Sequence, residues 1–312
     1  MLLDKRLLFV TGKGGVGKTT IAAALAFLAA REGKRTLVCE VDATGGLAAA
    51  FETTPLSFDG RDVAPRLHAM VMDTEASLRE YLKLHVRVPL IGRIGPVARS
   101  FDFVANAAPG VKEILIVGKL AYEVREDHYD LVVVDASATG HIIGQLAAPA
   151  AIRDLVQVGL VRQQTEWMLD ILTDPAQTGA VVVATPEEMP VTETLELIEQ
   201  LDAETSVALA GVVMNRVLPE LFGQREEAVF DALVDHRDRL VDELGPGAEP
   251  VLAGAQLAVR LRRSRAAHIA RLRAGLPSQV PLMNVPFLFT RAHGLRTTHM
   301  IGEALADEIF TV

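Results

Sequence analysis

Hydrophobic positions along the 312-residue chain fall into short unbroken runs separated by longer stretches with helical spacing. The runs that read as strands are Leu7 to Thr11, Thr36 to Val41, Leu67 to Met72, Asp130 to Asp135, Ala180 to Thr185, Val207 to Met214 and Val280 to Asn284. Leu131-Val132-Val133-Val134 and Val181-Val182-Val183 have no polar face, which is the pattern of strands buried on both sides. Such strands alternating with helices predict an α/β fold with a largely parallel central sheet covered on both faces. Ligands of these sheets bind beyond the carboxyl ends of the strands.

Two stretches interrupt the alternation and read as helical insertions, at about 74–127 and 219–275, within one domain spanning 1–312. The second has a segregated charge pattern. Nine acids fall between Glu220 and Glu249, and then Arg260, Arg262, Arg263, Arg265, Arg271 and Arg273 follow with no acid from Val251 to Ser278. Two antiparallel helices with complementary charged faces account for this pattern, and an arginine surface for anionic lipid or an acidic partner is the functional alternative.

Composition narrows the function classes. A net charge of -9 argues against a general nucleic-acid coat, which needs a basic surface to neutralise phosphates. The single cysteine, Cys39, reads as a buried strand residue, and one thiol per chain supports neither a disulfide framework nor a zinc cluster. No run of 18 apolar residues and no signal peptide is present, so the expected location is cytoplasmic, with peripheral contact to the inner face of the membrane left open.

Candidate chemistry begins after the first run. Gly12-Lys13-Gly14-Gly15-Val16-Gly17-Lys18-Thr19-Thr20 fits G-x-x-x-x-G-K-[ST], with an apolar strand before it and the helix-forming Ile21 to Ala30 after it. Small residues let consecutive backbone N–H groups surround a polyphosphate, while Lys18 serves the phosphates and Thr19 the Mg²⁺. Lys13 is an extra cation in this loop. The chain has 7 lysines against 24 arginines, and two of the seven are here.

With Lys13 one residue after the first glycine, the loop resembles that of the deviant Walker A ATPases, in which this lysine reaches the nucleotide of the other subunit. The resemblance extends along the chain. Asp135-Ala136-Ser137-Ala138-Thr139-Gly140-His141 is similar to the D-x-A-P-T-G-H switch of the ATPase family that includes the arsenite-pump ATPase ArsA and the tail-anchored-protein targeting (Get-type) ATPases. It implies that Asp135 holds the Mg²⁺ shell and that Thr139 and Gly140 lie by the nucleotide. Val41-Asp42-Ala43-Thr44-Gly45-Gly46-Leu47 resembles the family's T-D-P-A-H-N-L, which implies that Asp42 orients the attacking water; a helix cap is the plain alternative for this acid.

Departures from the family at Ala43, Gly45, Gly46, Ala49 and Ala136 to Ala138 predict a looser switch and slower or partner-dependent hydrolysis. Asp73 to Tyr81, Ala108 to Leu115 and Val181 to Leu201 also follow the family pattern, the last with Glu193 in a helix. Asn215 matches the asparagine that reads adenine, and Pro286 begins the loop closing over the base, where Arg291 to Gly294 replace E-x-x-G. The absence of an N-K-x-D motif favours ATP over GTP.

The resemblance implies an Mg²⁺-dependent ATPase that works as a dimeric switch, as a homodimer or with a paralogous ATPase subunit, coupling nucleotide state to a protein client. Arginine bias and eroded switches are closest to actinobacterial-type ArsA-like subunits. One cysteine excludes zinc-stapled dimerisation and makes thiol-dependent arsenite binding unexpected. Nor does the Ile142 to Leu172 segment, with Trp167 and Met168, offer an obvious groove for a membrane anchor; it reads as core and interface. A partitioning or division-site ATPase assembling on membrane or DNA is the second reading, although the acidic carboxyl end lacks the basic amphipathic helix typical of that class. A nucleotide-gated reductase subunit would need interface cysteines for an iron–sulfur cluster.

Overall fold

A computed structural model describes residues 2–85, 110–156, 158–220, 223–290 and 294–310. Its strands are β1 (Leu7–Gly12), β2 (Thr36–Glu40), β3 (Arg61–Ala64), β4 (Leu67–Val71), β5 (Leu131–Asp135), β6 (Thr178–Ala184), β7 (Leu209–Val217) and β8 (Leu282–Pro286). They form an 8-stranded sheet in the order β3-β4-β2-β5-β1-β6-β7-β8. Every pairing is parallel except that of β3 with β4. The run from β1 to β5 builds one half and β6 to β8 the other, so the order reverses beside β1, where the loop at Gly12 leaves the sheet.

All the predicted strands form, and β3 is an addition. Arg61 and Asp62 are exposed on this edge strand, so its sequence carries no apolar run. β7 and β8 run further than their apolar stretches suggest, taking in Asn215 and Pro286.

Alternate residues of each strand feed two cores. Leu7, Phe9, Val132 and Val134 face one side, where they meet α4 (Val111–Arg125), α5 (Thr139–Leu155), α6 (Leu160–Thr173) and α7 (Glu188–Glu204) through Leu120, Ile142, Leu172 and Leu197. Leu8, Val10, Val133 and Val183 face the other, against α1 (Lys18–Arg31) and α11 (Leu295–Phe310). Alanines are six of the nine buried residues of α1, and this lets α11 come close: a Cβ on Gly302 would lie 3.5 Å from the Ala24 carbonyl. Cys39 is fully buried in β2, as expected.

The described parts of the insertions are helical. They comprise α3 (Thr74–His85) and α4 from the first, and α8 (Gln224–Asp235), α9 (Arg237–Leu244) and α10 (Ala248–Gly275) from the second. Complementary charge is realised there by Arg263 on Asp231 at 2.9 Å, Arg262 on Glu220 at 3.9 Å and an Arg237–Glu249 contact. Among the described residues no helix is long and apolar enough to cross a membrane.

Candidate functional site

The loop between β1 and α1 takes the shape its glycines allow. At Gly12, φ is 144°, and a Cβ would stand 2.3 Å from the Val183 carbonyl oxygen of the neighbouring β6. At Gly17, φ is 98°, and a Cβ would stand 2.5 Å from Nδ2 of Asn215. Side chains are therefore excluded at both ends of the loop. Gly14 and Gly15 are exposed at its tip, and Val16 is buried under it. α1 then starts with no side-chain cap and no acid in its first turn, leaving the N–H groups around Lys18, Thr19 and Thr20 available to an anion.

The two lysines part company here. Lys18 Nζ donates to the Lys13 carbonyl at 3.3 Å, so this ammonium lies back along its own loop. Burial pulls the Lys18 pKa down, against the opposing attraction of Asp135 and Asp42. Lys13 Nζ instead forms a half-buried ion pair with Glu193 of α7 at 2.5 Å. Glu193 had been recognisable only as part of a family-like helix, and the contact gives it a place in the site.

Asn215 ends the buried part of β7 and braces the loop. Its Nδ2 donates to the Val16 carbonyl at 2.8 Å, and its Oδ1 accepts from Arg216 N at 2.9 Å. The second amide hydrogen and second lone pair remain for another partner. Pro286 lies at the end of β8, which is paired with β7 at Val217, so Asn215 and Pro286 occupy adjacent strand ends. The family-like residues Ala108, Pro109 and Arg291 to His293 lie outside the described residues.

Three acids meet at the ends of β2 and β5. Glu40 and Asp135 are direct partners in the parallel register, and Asp42 follows two residues beyond Glu40. Asp135 is buried beside the Thr19 hydroxyl, yet among the described residues its Oδ1 has no hydrogen-bond partner. Burial pushes the Asp135 pKa up to about 6, with the Thr19 hydroxyl and the Lys18 charge opposing the rise and the Glu40 and Asp42 charges adding to it. A hydroxyl and a carboxylate with an unsatisfied oxygen, beside an uncapped helix start, suit a divalent cation that keeps several waters and takes its other ligands from phosphate.

Asp42 is exposed and accepts from Ser137 Oγ at 3.1 Å, which ties the two switch loops together. It does not cap α2 (Gly46–Ala50). Glu40 does, accepting from Thr44 N at 2.8 Å, Thr44 Oγ1 at 2.6 Å, Gly46 N at 3.0 Å and Leu47 N at 3.2 Å. The cap alternative for Asp42 thus belongs to a residue that sequence reading passed over. An acid inside the otherwise apolar Thr36-Leu37-Val38-Cys39-Glu40 was the available signal, because a charge in a buried strand needs several donors. Beyond Ser137, Thr139 and Gly140 open α5, with Gly140 exposed.

A cleft of ≈ 410 Å³ opens beside Asp42, lined also by Asp73, Glu75, Lys112 and Leu78. Leu78 also lines a second, apolar cavity of ≈ 300 Å³ among α3 to α6, with Trp167, Met168, Tyr81 and Ile152. The Ile142 to Leu172 segment is therefore core that also lines a cavity.

Comparison with known proteins agrees with this geometry. The family described as Anion-transporting ATPase (ArsA_ATPase) matches residues 5–169 and 155–243. The chain is 37% identical over 225 residues to "ATPase BagA" of Mycobacterium tuberculosis, covering 69% of this chain and 66% of that protein. It is 32% identical over 249 residues to a "Putative arsenical pump-driving ATPase" of Halobacterium salinarum, covering 73% of this chain and 38% of the relative. An "ATPase ASNA1 homolog" of Entamoeba dispar is 24% identical over 252 residues, or 68% and 76% of the two chains. A P-loop α/β sheet, a site shaped for a nucleotide and these matches lead to one assignment: the chain belongs to the ArsA ATPase family.

Proposed function

We propose that this chain binds ATP with Mg²⁺ and hydrolyses it as one half of a dimeric switch that couples nucleotide state to a protein client. The observation that carries the reading is the set of groups left unsatisfied at one point among the described residues: the uncapped start of α1, Lys18 resting on a backbone carbonyl, and Asp135 Oδ1 near Thr19. Bound Mg²⁺–ATP supplies the phosphoryl group and the cation that neutralises its charge. Lys18 and the loop N–H groups bind the phosphates, Thr19 and Asp135 hold the metal, and Asp42 orients the water. Asn215 and Pro286 serve the adenine.

The role of Lys13 follows from how it is held. Its ammonium is bound to Glu193 while its carbonyl holds Lys18, so the two lysines do not compete for one phosphate. In the dimer, Lys13 exchanges Glu193 for the partner's nucleotide, whether that partner is a second copy or a paralogous subunit. α5 runs from Thr139 and Gly140 to Ile152 in the wall of the apolar cavity, and this is the element by which nucleotide state reaches a client.

Two substitutions separate these roles. Lys18→Ala is expected to abolish ATP binding in a direct titration. Lys13→Ala is expected to retain binding and to lose ATP-dependent dimerisation, measured by light scattering, together with turnover. Wild-type dimerisation and rate in Lys13→Ala would remove the second subunit from the site.

A further inference from the structure

Glu40 stands out among the groups the proposed reaction does not use. It is 1% exposed at the end of β2 and gives its whole carboxylate to the loop that carries Asp42. Oε1 accepts from Thr44 N, Thr44 Oγ1 and Gly46 N, and Oε2 accepts from Leu47 N. A buried carboxylate with four donors is held firmly, because each bond is charge-assisted and the loss of any one leaves charge without solvation.

The residues around it complete the clamp. Gly45 has φ 80°, which turns the chain into α2. A Cβ at Gly46 would come 2.8 Å from Thr19 Cγ2, so only glycine lets the loop close on the start of α1. On the far side, Ser137 Oγ donates to Asp42, and the Ser137 carbonyl accepts from Thr11 Oγ1 at 3.1 Å. The loop from 42 to 47 is therefore fixed at both ends, by Glu40 below and by Ser137 across.

We infer that Glu40 is a positioning residue for hydrolysis: it clamps the Asp42 loop in place before nucleotide arrives, doing through bonds from three backbone N–H groups and the Thr44 hydroxyl what side chains at 45 and 46 do not. This rests on the proposed role of Asp42. It also gives two departures from the family pattern another reading. The glycines at 45 and 46 read from sequence as erosion of a switch, and on this inference they let a carboxylate hold the loop.

The test pairs a nucleotide-free readout with a kinetic one, on the full chain and with its partner subunit where turnover requires one. In Glu40→Ser, hydrogen exchange of the 42–48 segment is expected to accelerate about tenfold without nucleotide, while the rest of the sheet keeps its wild-type protection. ATP affinity should stay within about twofold, and kcat should fall about tenfold or more, the split expected of a positioning residue. Glu40→Gln keeps the shape and can accept only some of the four bonds, so it should fall between Ser and wild type. It also carries the test if the serine variant does not fold.

Wild-type exchange in 42–48, or faster exchange with unchanged kcat, overturns the inference, as does acceleration spread over the whole sheet. A wild-type protein that neither binds nor hydrolyses ATP sinks the proposed function instead, and the exchange measurement still reports on the clamp.

Discussion

The strand-end loops and the helical block from α8 to α10 are both rich in charge, yet they hold it in opposite ways. Around the loops Glu40, Asp135 and Asn215 are buried, and nearly all their polar atoms are paired within the chain. In the block the ion pairs lie mostly in solvent: the Arg263 and Asp231 side chains are 46% and 54% exposed, and among the described pairs only Arg262, at 23%, is drawn in. Val229, Leu244, Val251 and Leu257 are exposed as well, and Phe230, Val259 and Leu272 are the buried hydrophobic residues described there. Where polar groups are buried, an unsatisfied atom such as Asp135 Oδ1 is an exception that points to chemistry. Where they are exposed, water satisfies them, and a list of contacts says little about energy or role.

The largest expected difference concerns Asp42, the one acid of the three that remains exposed. If it orients or accepts from the attacking water, Asp42→Asn should lower kcat by about 10²- to 10⁴-fold while ATP still binds. A trapped, ATP-bound dimer in light scattering would accompany the loss. Undiminished turnover would reduce Asp42 to a partner of Ser137 and leave the loop side of the comparison without a water-orienting group.

Asp135 gives the next largest effect, and it acts on stability. Its folded pKa of about 6 lies above the ordinary carboxylate value of 3.8, so between those values the native chain holds a proton that the unfolded chain has released. Unfolding then releases a proton, and stability falls as pH rises from about 4 to about 6 and levels off above that. The penalty at pH 7 is on the order of 3 kcal/mol. Asp135→Asn should therefore raise the melting temperature of nucleotide-free protein at pH 7, flatten its dependence between pH 4 and 6, and weaken the Mg²⁺ requirement for nucleotide binding. A lower melting temperature in the asparagine variant would show that burial does not strain this carboxylate.

How far sequence reached follows the same division. The phosphate loop was legible because backbone conformation forces particular residues: Gly12 against β6 and Gly17 against Asn215 admit no side chain. The strands were legible because burial on both faces leaves only apolar residues, and β3 was missed because an edge strand needs none. Glu40 escaped notice because three of its four donors are backbone N–H groups, which every sequence has. The tie between Lys13 and Glu193 was hidden by a separation of 180 residues. In the helical block, charge segregation foretold helices facing one another, but three helices formed where two were expected, and spacing alone did not set which arginine meets which acid.

That block supplies the smallest expected effect, and it tests the comparison from the other side. Arg263 and Asp231 join α10 to α8 at 2.9 Å with both side chains about half in water. Solvent screening and the entropy of two long side chains offset most of the attraction, so a double-mutant cycle with Arg263→Ala and Asp231→Ala should give a coupling of about 0.2–1 kcal/mol. Leu272, on the same helix, is fully buried against the core that also contains Leu197 and Leu201, and Leu272→Ala should cost about 2–5 kcal/mol. α10 would then be anchored by Leu272 near its carboxyl end while its ion pairs only set its lean. A coupling above about 2 kcal/mol would mean that the charges of the block are held as firmly as those of the loops, and that the contrast between the two regions does not rest on exposure.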